Sequence, residues 1–453
     1  MKPSLTLINP WIYDFAAYDL WSKPLGLLYL AGYLRDCGFN IHLIDCLDIH
    51  HPGMKAGASL TRPVRRSYGT GKFWKKKIPK PSSLKNIPRS YNRYGISRQL
   101  FIKELESVNK PAAILITSLM TYWYPGVVEA VSLVRHIFPD VPIILGGIYA
   151  RLCRQHALQI AGVDFVAEEG YLHDPESLLK IMELFNIPVP GNSTTNDNLP
   201  YPAFDMLHGI DYICLLTSTG CPYRCRYCAG HFLNPEFARR DPQSVLEEIE
   251  YWHRNYGVRD FAFYDDALLA GSHHIMTELL EGLAELNRNL RFHTPNALHI
   301  REITPDIASL LYKSGFKTIR LGLETSDMKI HNDMDKKLSD GEFERTVRNL
   351  KKAGFNGKEI GAYILTGLPG QSVNSVKSTI KFAGTAGVMP YLAEYSPLPH
   401  TPLWEKAVSF SSYDILSEPL FHNNTLLPCW DEGRRERVPE LKRLVRDFRQ
   451  NIT

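Results

Sequence analysis

No apolar run in this sequence approaches the roughly 20 residues needed to cross a bilayer, so a helical membrane span is not expected. The first twenty residues also lack the basic start and apolar middle of a signal peptide, because Pro10 and Asp14 interrupt them. The expectation is a cytoplasmic protein without membrane contact. Acidic residues are missing altogether between Lys55 and Lys103, where 14 Lys and Arg stand. The whole chain carries +4, so the remainder carries 4 − 14 = −10 and the basicity is local. Cysteine is scarce, eight in 453 residues, yet three of the eight fall together in Cys221-Pro-Tyr-Arg-Cys225-Arg-Tyr-Cys228.

Such crowding points to a soft inorganic centre, since one loop with spacings of three and two residues can wrap its thiolates around zinc or an iron–sulfur cluster. An odd trio cannot pair internally as disulfides, and nothing nearby suggests a secreted framework. Structural zinc would want a fourth Cys or His close by. Cys214, seven residues upstream, lies in Tyr-Ile-Cys-Leu-Leu, which reads as a buried strand. Three thiolates on a four-iron cluster would leave one iron open.

With an aromatic residue, Tyr227, before the last cysteine, the CxxxCxxC loop resembles the signature of the radical SAM superfamily. The resemblance implies a 4Fe-4S cluster on Cys221, Cys225 and Cys228, its unique iron chelated by the amino and carboxylate groups of S-adenosylmethionine (SAM). Tyr227 would lie beside the adenine.

Along the chain, Leu5–Asn9 reads as a buried strand, Leu25–Cys37 as a helix stopped by Gly38, and Ile41–Asp45 as a second strand. Beyond the basic segment, strands at Ala112–Ser118, Val141–Gly147 and Val163–Ala167 alternate with helices at Val127–Ile137 and Ala150–Ala161. This alternation argues for a doubly wound, Rossmann-like parallel sheet with ligands at the carboxyl ends of its strands. The arrangement resembles the cobalamin-binding domain that precedes many radical SAM barrels. The resemblance implies that the turn holding Ser118 and Leu119, together with Gly146 and Gly147, flanks the cofactor's tail.

Asp48-Ile-His50-His51-Pro-Gly53 matches a pattern that supplies the cobalt ligand in some cobalamin proteins. It follows the second strand here instead of the first, so His50 and His51 are read as polar loop residues. The first loop holds no His, and a sheet that kept the fold without cobalamin stays open. The basic insertion, 53–96, mixes Lys75-Lys76-Lys77 with Tyr68, Phe73, Trp74, Tyr91 and Tyr94. Such a segment can track a nucleic-acid backbone, but the favoured reading is a solvated insertion that packs its aromatics on the domain and offers cations to phosphates or an acidic substrate. Residues 171–206 read as a polar, Pro-rich linker.

From Asp211 the order strand–loop–helix repeats about six times, with strands at Asp211–Ser218, Asp260–Tyr264, Arg291–His293, Thr318–Leu323, Glu359–Leu365 and Met389–Tyr395. A partial TIM-type (β/α)6 barrel follows, in which polar residues at the carboxyl ends of strands are functional. Phe263-Tyr-Asp-Asp266, Gly322-Leu-Glu324-Thr325 and Gly367-Leu-Pro-Gly370 resemble the barrel signatures of radical SAM enzymes. By that resemblance Asp266, Asn296, Glu324 and Thr325 belong to the SAM site, and Gly367 opens a turn that lets backbone approach the adenine. Arg239 and Arg240 either pair with a carboxylate or decorate a helix start. His400-Thr-Pro-Leu stands where the family has Gly-Thr-Pro-Leu, which costs backbone freedom if the turn needs positive φ.

The expected organisation is therefore a cobalamin-binding-type domain over 1–170, the linker, a radical SAM barrel over 207–404 and a C-terminal extension over 405–453. Within the extension, Phe421–Trp430 would close the barrel mouth and Arg437–Ile452 would form an exposed amphipathic helix. The implied chemistry is reductive cleavage of SAM to a 5′-deoxyadenosyl radical, with an external flavodoxin- or ferredoxin-type electron donor and methyl transfer from cobalamin to an unactivated carbon. A cobalamin-free rearrangement or ring closure and an RNA-modifying enzyme are the alternatives; no catalytic residue or substrate is legible.

Overall fold

The computed structural model describes residues 2–55, 60–168, 170, 175–190, 200–286 and 289–452. The chain divides into two compact units, Met1–Asp211 and Tyr212–Thr453. Residues 171–174 and 191–199 of the expected linker lie outside the described residues.

The first unit is built on five parallel strands in the order Phe165–Val166, Ile143–Leu145, Ala113–Ile116, Ser4–Asn9, Asn40–Asp45. Side chains alternate along each strand, so each serves both faces of the sheet. Ile8, Ile114, Ile116, Ile143 and Leu145 enter one core with the helices Arg98–Ser107 and Tyr124–Ile137. Leu5, Leu7, Ala113, Leu115 and Ile144 enter the other with Leu25–Asp36 and Pro175–Leu184. Covering both faces is what turns these strands into uninterrupted apolar runs. The order reverses on either side of Ser4–Asn9, which places the switch point of the sheet beside the ends of Ser4–Asn9 and Ala113–Ile116.

One expectation changes here. The stretch expected to be a linker contains the helix Pro175–Leu184, whose Leu178, Leu179 and Met182 are buried in the second core. Further on, Ala203 N donates to Leu28 O (2.9 Å) and Arg35 pairs with Asp205 (2.6 Å). Five prolines punctuate this stretch, but an i, i+1, i+4 apolar set inside it is enough to dock a helix.

The basic insertion packs its aromatics on the domain as expected, and it also carries strands. Lys75–Ile78 and Tyr91–Tyr94 pair antiparallel with each other and with Ile12–Asp14. Phe73, Trp74, Tyr91 and Tyr94 are buried. The helix Arg98–Ser107, capped where Ser97 accepts from Leu100 N (3.1 Å), is hidden in the sequence by its Arg and Lys.

The second unit is an open barrel segment of six parallel strands in chain order: Ile213–Leu215, Asp260–Phe263, Arg291–His293, Phe316–Glu324, Ile360–Thr366 and Met389–Glu394. Helix starts carry side-chain caps at Asp241, Thr304 and Ser372, each accepting from the N–H three residues on. The last helix, Val438–Asn451, buries Leu441 and Val445, and Arg449 donates to Pro390 O (2.9 Å) while its guanidinium lies 3.9 Å from the Tyr391 ring. It is therefore docked on its apolar side rather than free.

Candidate functional site

In the second unit the cysteine loop follows Ser218–Thr219, which pairs antiparallel with Ala238–Arg239. Its approach is anchored by Asp265, whose carboxylate accepts from Thr217 N (3.0 Å), Thr217 Oγ1 (2.7 Å) and Ser218 Oγ (2.6 Å). Arg226 N donates to Met334 O (2.9 Å) and Leu403 N donates to Arg226 O (3.1 Å), so backbone from two other elements holds the middle of the loop. Tyr223 stacks on His299 at 3.8 Å and its hydroxyl donates to Glu302 (2.7 Å). Burial pushes His299 down to about 3, so the stack is made by a neutral ring.

Within the loop, Cys225 is buried, Cys221 half-buried and Cys228 exposed, and none of the eight cysteines is in a disulfide. Burial raises the Cys225 thiol, and the ammonium of Lys337 opposes that rise. Gly230 N donates to Cys228 Sγ (3.3 Å), the kind of N–H···S bond that supports a thiolate ligand. Among the described residues no three His, Cys, Asp or Glu side chains converge on a single-ion site. A four-iron cube asks for something different, because each thiolate binds a separate iron. Three free thiols on one anchored loop fit it.

Around this loop stand four of the residues singled out in the sequence. Asp266 turns Oδ2 to within 3.8 Å of the Cβ position at Gly230. Asn296 donates through Nδ2 to Tyr264 O (2.9 Å) and Asp265 O (3.2 Å), which orients its amide at the strand ends. Glu324 is buried and adopts φ +57°, a left-handed conformation that costs a non-glycine residue energy and is concentrated at functional sites. Burial raises its carboxyl, and the Lys337 charge opposes the rise. Tyr227 is packed into the apolar cluster beside Leu365 and Leu368.

Two others are engaged internally. Thr325 Oγ1 accepts from Asp327 N (3.1 Å) and its carbonyl accepts from His331 Nε2 (2.8 Å). Gly367, at φ +98°, donates its N–H to Gln371 Oε1 (2.9 Å), as does Leu368 (3.2 Å). The N–H groups of that turn are therefore spent on Gln371. Leu427, from the C-terminal extension, sits 2.7 Å from the Cβ position there. His400 does adopt positive φ (+65°) and stacks on Phe232 at 4.1 Å. Arg239 and Arg240 are structural, donating to Ala270 O (2.9 Å) and pairing with Glu248 (2.6 Å).

Sequence reasoning passed over Lys337. Its Nζ lies 3.3 Å from the Tyr227 hydroxyl, and its N–H donates to Asp335 Oδ1 (3.0 Å). Burial opposes its charge, but Glu324, Cys225 and Asp335 together hold the ammonium protonated. Asp335 in turn binds His331 Nδ1 (2.9 Å). Met334-Asp-Lys-Lys-Leu carries no spacing signal; only folding brings it to the cysteines.

In the first unit, Ser118 and Gly146-Gly147 meet at the switch point. Ser118 Oγ donates to Gly146 O (2.6 Å) and accepts from Ala150 N (3.2 Å), while Ile148 N donates to Ser118 O (2.7 Å). Gly147 has φ +93°, and a Cβ there would lie 2.2 Å from Ser118 O. Only glycine permits this approach. Gly146 meets nothing nearer than 4.0 Å, so its face stays open, and Leu119 is half-buried. His50 Nε2 binds Asp211 (2.9 Å), and His51 packs on His208 at 4.6 Å with Nε2 3.4 Å from Glu104.

A barrel of parallel strands with three free thiols on the loop after its first strand defines a class, and residues 215–383 match the model of the radical SAM superfamily: the second unit carries a radical SAM domain. Over the whole chain the fold is similar to that of the radical S-adenosylmethionine methyltransferase TsrM from Kitasatospora setae. Its complex with tryptophan substrate and a SAM analogue aligns with TM-score 0.66 over 98% of this chain and 89% of that one, at 14% identity. Its complex with cobalamin and a [4Fe-4S] cluster aligns with TM-score 0.62 over 91% and 76%, at 15% identity.

Among curated proteins, the chain is 21% identical over 451 aligned positions to the cytidylyl-2-hydroxyethylphosphonate methyltransferase of Streptomyces wedmorensis, covering 85% of this chain and 77% of that one. It is 24% identical over 225 positions to an uncharacterized methyltransferase of Pyrococcus horikoshii, of whose length it spans about half (47%). Among the described residues no helix is long and apolar enough to cross a membrane.

Proposed function

We propose that this chain is a cobalamin-dependent radical SAM enzyme that transfers a methyl group to an unactivated carbon. The observation that carries the reading is the pairing, in one chain, of an anchored three-cysteine loop on a parallel barrel with a doubly wound sheet whose switch point is closed by Ser118 and Gly147. TsrM, described with cobalamin and a [4Fe-4S] cluster, shares that fold over 91% of the chain. When bound, the cluster with SAM would supply one-electron bond cleavage, and cobalamin a transferable methyl group.

Cys221, Cys225 and Cys228 would hold the cluster, with Gly230 N–H supporting Cys228. Glu324 and Lys337 place opposite charges beside Tyr227, which suits the ammonium and carboxylate ends of an amino acid. Asp266, Asn296 and the bare Gly367 turn would border the rest of SAM, and Ser118, Leu119, Gly146 and Gly147 would flank cobalamin. Residues 10–22 contain no His, so that loop would offer cobalt no imidazole. The reading also calls for a flavodoxin- or ferredoxin-type electron donor and a cytoplasmic, reducing location.

The test is anaerobic reconstitution with iron, sulfide and hydroxocobalamin, followed by metal counts and an assay for reductive SAM cleavage. About four irons and one cobalt per chain, with 5′-deoxyadenosine released, is the expected result. Iron without cobalt would remove the methyl-transfer part, and zinc without iron would remove the whole.

A further inference from the structure

In the second unit the last two barrel strands turn one face toward the cysteine loop. Leu365 and Ala393 lie on that face, in the apolar cluster that also holds Tyr227. Side chains two residues apart share a face, so Tyr363 and Tyr391 lie on it as well, while Ile360, Ala362 and Ile364, all fully buried, lie on the other. Phe316–Glu324 pairs with one side of Ile360–Thr366, and Met389–Glu394 with the other. Gly361 leaves a gap between them, because a Cβ there would lie 2.7 Å from Tyr391 and 2.9 Å from Arg320. Arg320 crosses that gap, with Nη2 3.5 Å from the Tyr391 hydroxyl and its guanidinium 4.7 Å from the ring. Arg449 reaches the same ring from the last helix, at 3.9 Å. The two cations are therefore no farther apart than those two ring distances together.

Both have only uncharged partners. Arg320 Nη1 donates to Ile319 O (3.0 Å) and Arg449 Nε to Pro390 O (2.9 Å), and among the described residues no carboxylate pairs with either. The carboxylates of this region are committed elsewhere: Glu394 pairs with Lys442 (3.2 Å), Asp335 with His331 (2.9 Å), and Glu324 is set against Lys337. Burial pulls Arg449 below its ordinary 12.5, Tyr391 opposes that, and the charge of Arg320 adds to it. Pro390 O belongs to the edge strand of the sheet, and covering it takes one N–H of the five that a guanidinium carries. Most of Arg449 is therefore unspent, and both arginines are only half-buried.

Two like charges held against one ring repel each other, and an anion relieves that repulsion. A single carboxylate is satisfied by one guanidinium fork, whereas a phosphoryl group brings about two negative charges and three acceptor oxygens. We propose that Arg320 and Arg449 bind a phosphoryl group of the substrate, which makes the C-terminal helix part of the substrate site. Tyr363, on the same face, donates its hydroxyl to Pro295 O (2.8 Å) and so ties this place to the loop that carries Asn296. The inference deepens the proposed function and rests on it for the identity of the bound molecule as the substrate.

The test titrates inorganic phosphate into the full chain, reconstituted as above, by isothermal calorimetry at low ionic strength, with acetate as the comparison anion. Saturable one-to-one binding of phosphate is expected, weakened at least about tenfold in Arg320→Gln and in Arg449→Gln and largely kept in Arg320→Lys, because a charge-assisted bond carries that much discrimination. An unchanged unfolding midpoint checks that each variant is folded. If Arg449→Gln lowers it, the two Arg320 variants carry the test, since Arg449 also covers the edge strand. Undetectable phosphate binding to the native chain, native-like binding by the Gln variants, or acetate bound as tightly as phosphate would overturn the proposal. Reductive SAM cleavage by the same native sample separates the two readings. A chain that cleaves SAM and binds no phosphate removes this inference alone. One that binds phosphate and never cleaves SAM removes the enzymatic reading and, with it, the substrate role of the arginine pair.

Discussion

The two candidate cofactor ends of this chain are made in opposite ways. At the switch point of the first unit the turn is made of backbone: Ser118 spends its hydroxyl on Gly146 O and Ala150 N, and Gly147 is defined by the side chain it lacks. Around the cysteine loop the work falls to side chains: free thiols, a buried Glu324 in a strained conformation, and Lys337 among carboxylates. A backbone cradle confers shape and survives changes of charge. A side-chain cluster confers chemistry and is carried by a scaffold that does not need it. Substitutions should therefore separate folding from function in the second unit and fail to do so in the first.

The largest separation is expected at Cys225→Ala. Iron bound after reconstitution should fall to near zero, while the unfolding free energy changes by about 1 kcal/mol, the scale of losing one small buried group. Retained iron would break the contrast at its stronger end. Gly147→Ala is the converse. A Cβ 2.2 Å from Ser118 O at φ +93° should destabilise the first unit by roughly 2–4 kcal/mol, while the iron count stays at the native value. Denaturant unfolding with amide exchange over residues 113–150 would read it, and a native-like stability would show that the turn is not closed as described.

Glu324 tests both ideas in one residue. Glu324→Gln should weaken SAM binding by about tenfold or more, and Glu324→Gly should do the same while relieving about 1 kcal/mol of left-handed strain. Equilibrium dialysis and thermal melts measure the two effects, and a lower midpoint with unaltered SAM affinity would make Glu324 a structural residue.

The smallest effect belongs to His50 and Asp211 in the first unit. Hydrogen bonding to Asp211 raises His50 above its ordinary 6.5; burial works to raise Asp211, but His50 and Arg65 prevail and hold it below its ordinary 3.8. The His50 contribution is present below 6.5 and fades as pH rises through its raised value. The Asp211 contribution is present above 3.8 and fades as pH falls through its lowered value. His50→Gln should therefore cost most stability between pH 4 and 6.5 and progressively less as pH rises through the raised His50 value, with both groups partly exposed and the gain modest. A pH-independent cost would show that packing, not charge, holds Asp211.

Much of the architecture is legible because both units are repetitive. A strand such as Ile114-Leu115-Ile116, buried on both faces, can hardly be anything else once helices of 3.6 periodicity flank it. The misses fell where local composition and tertiary role disagree. Arg98–Ser107 looks like part of a charged run but buries Leu100, Phe101 and Leu105. Pro175–Leu184 is embedded in a Pro-rich stretch, and its apolar face has meaning only against Leu5 and Leu34. Of the paired acids, Asp265 and Asp266 are indistinguishable in sequence, yet the fold commits the first to Thr217 and Ser218 and leaves the second facing the cysteine loop.

By itself, then, the sequence determined the class of chemistry and the periodic frame. Cysteine spacing and helix or strand periodicity are local properties, set by which residues lie within a few positions of one another. Tertiary structure decided everything that depends on groups distant along the chain. It brought Lys337 to Tyr227 across 110 residues and closed Gly147 on Ser118. The Coulomb and hydrogen-bond energies at those places depend on separations in space, and only the packed chain sets them.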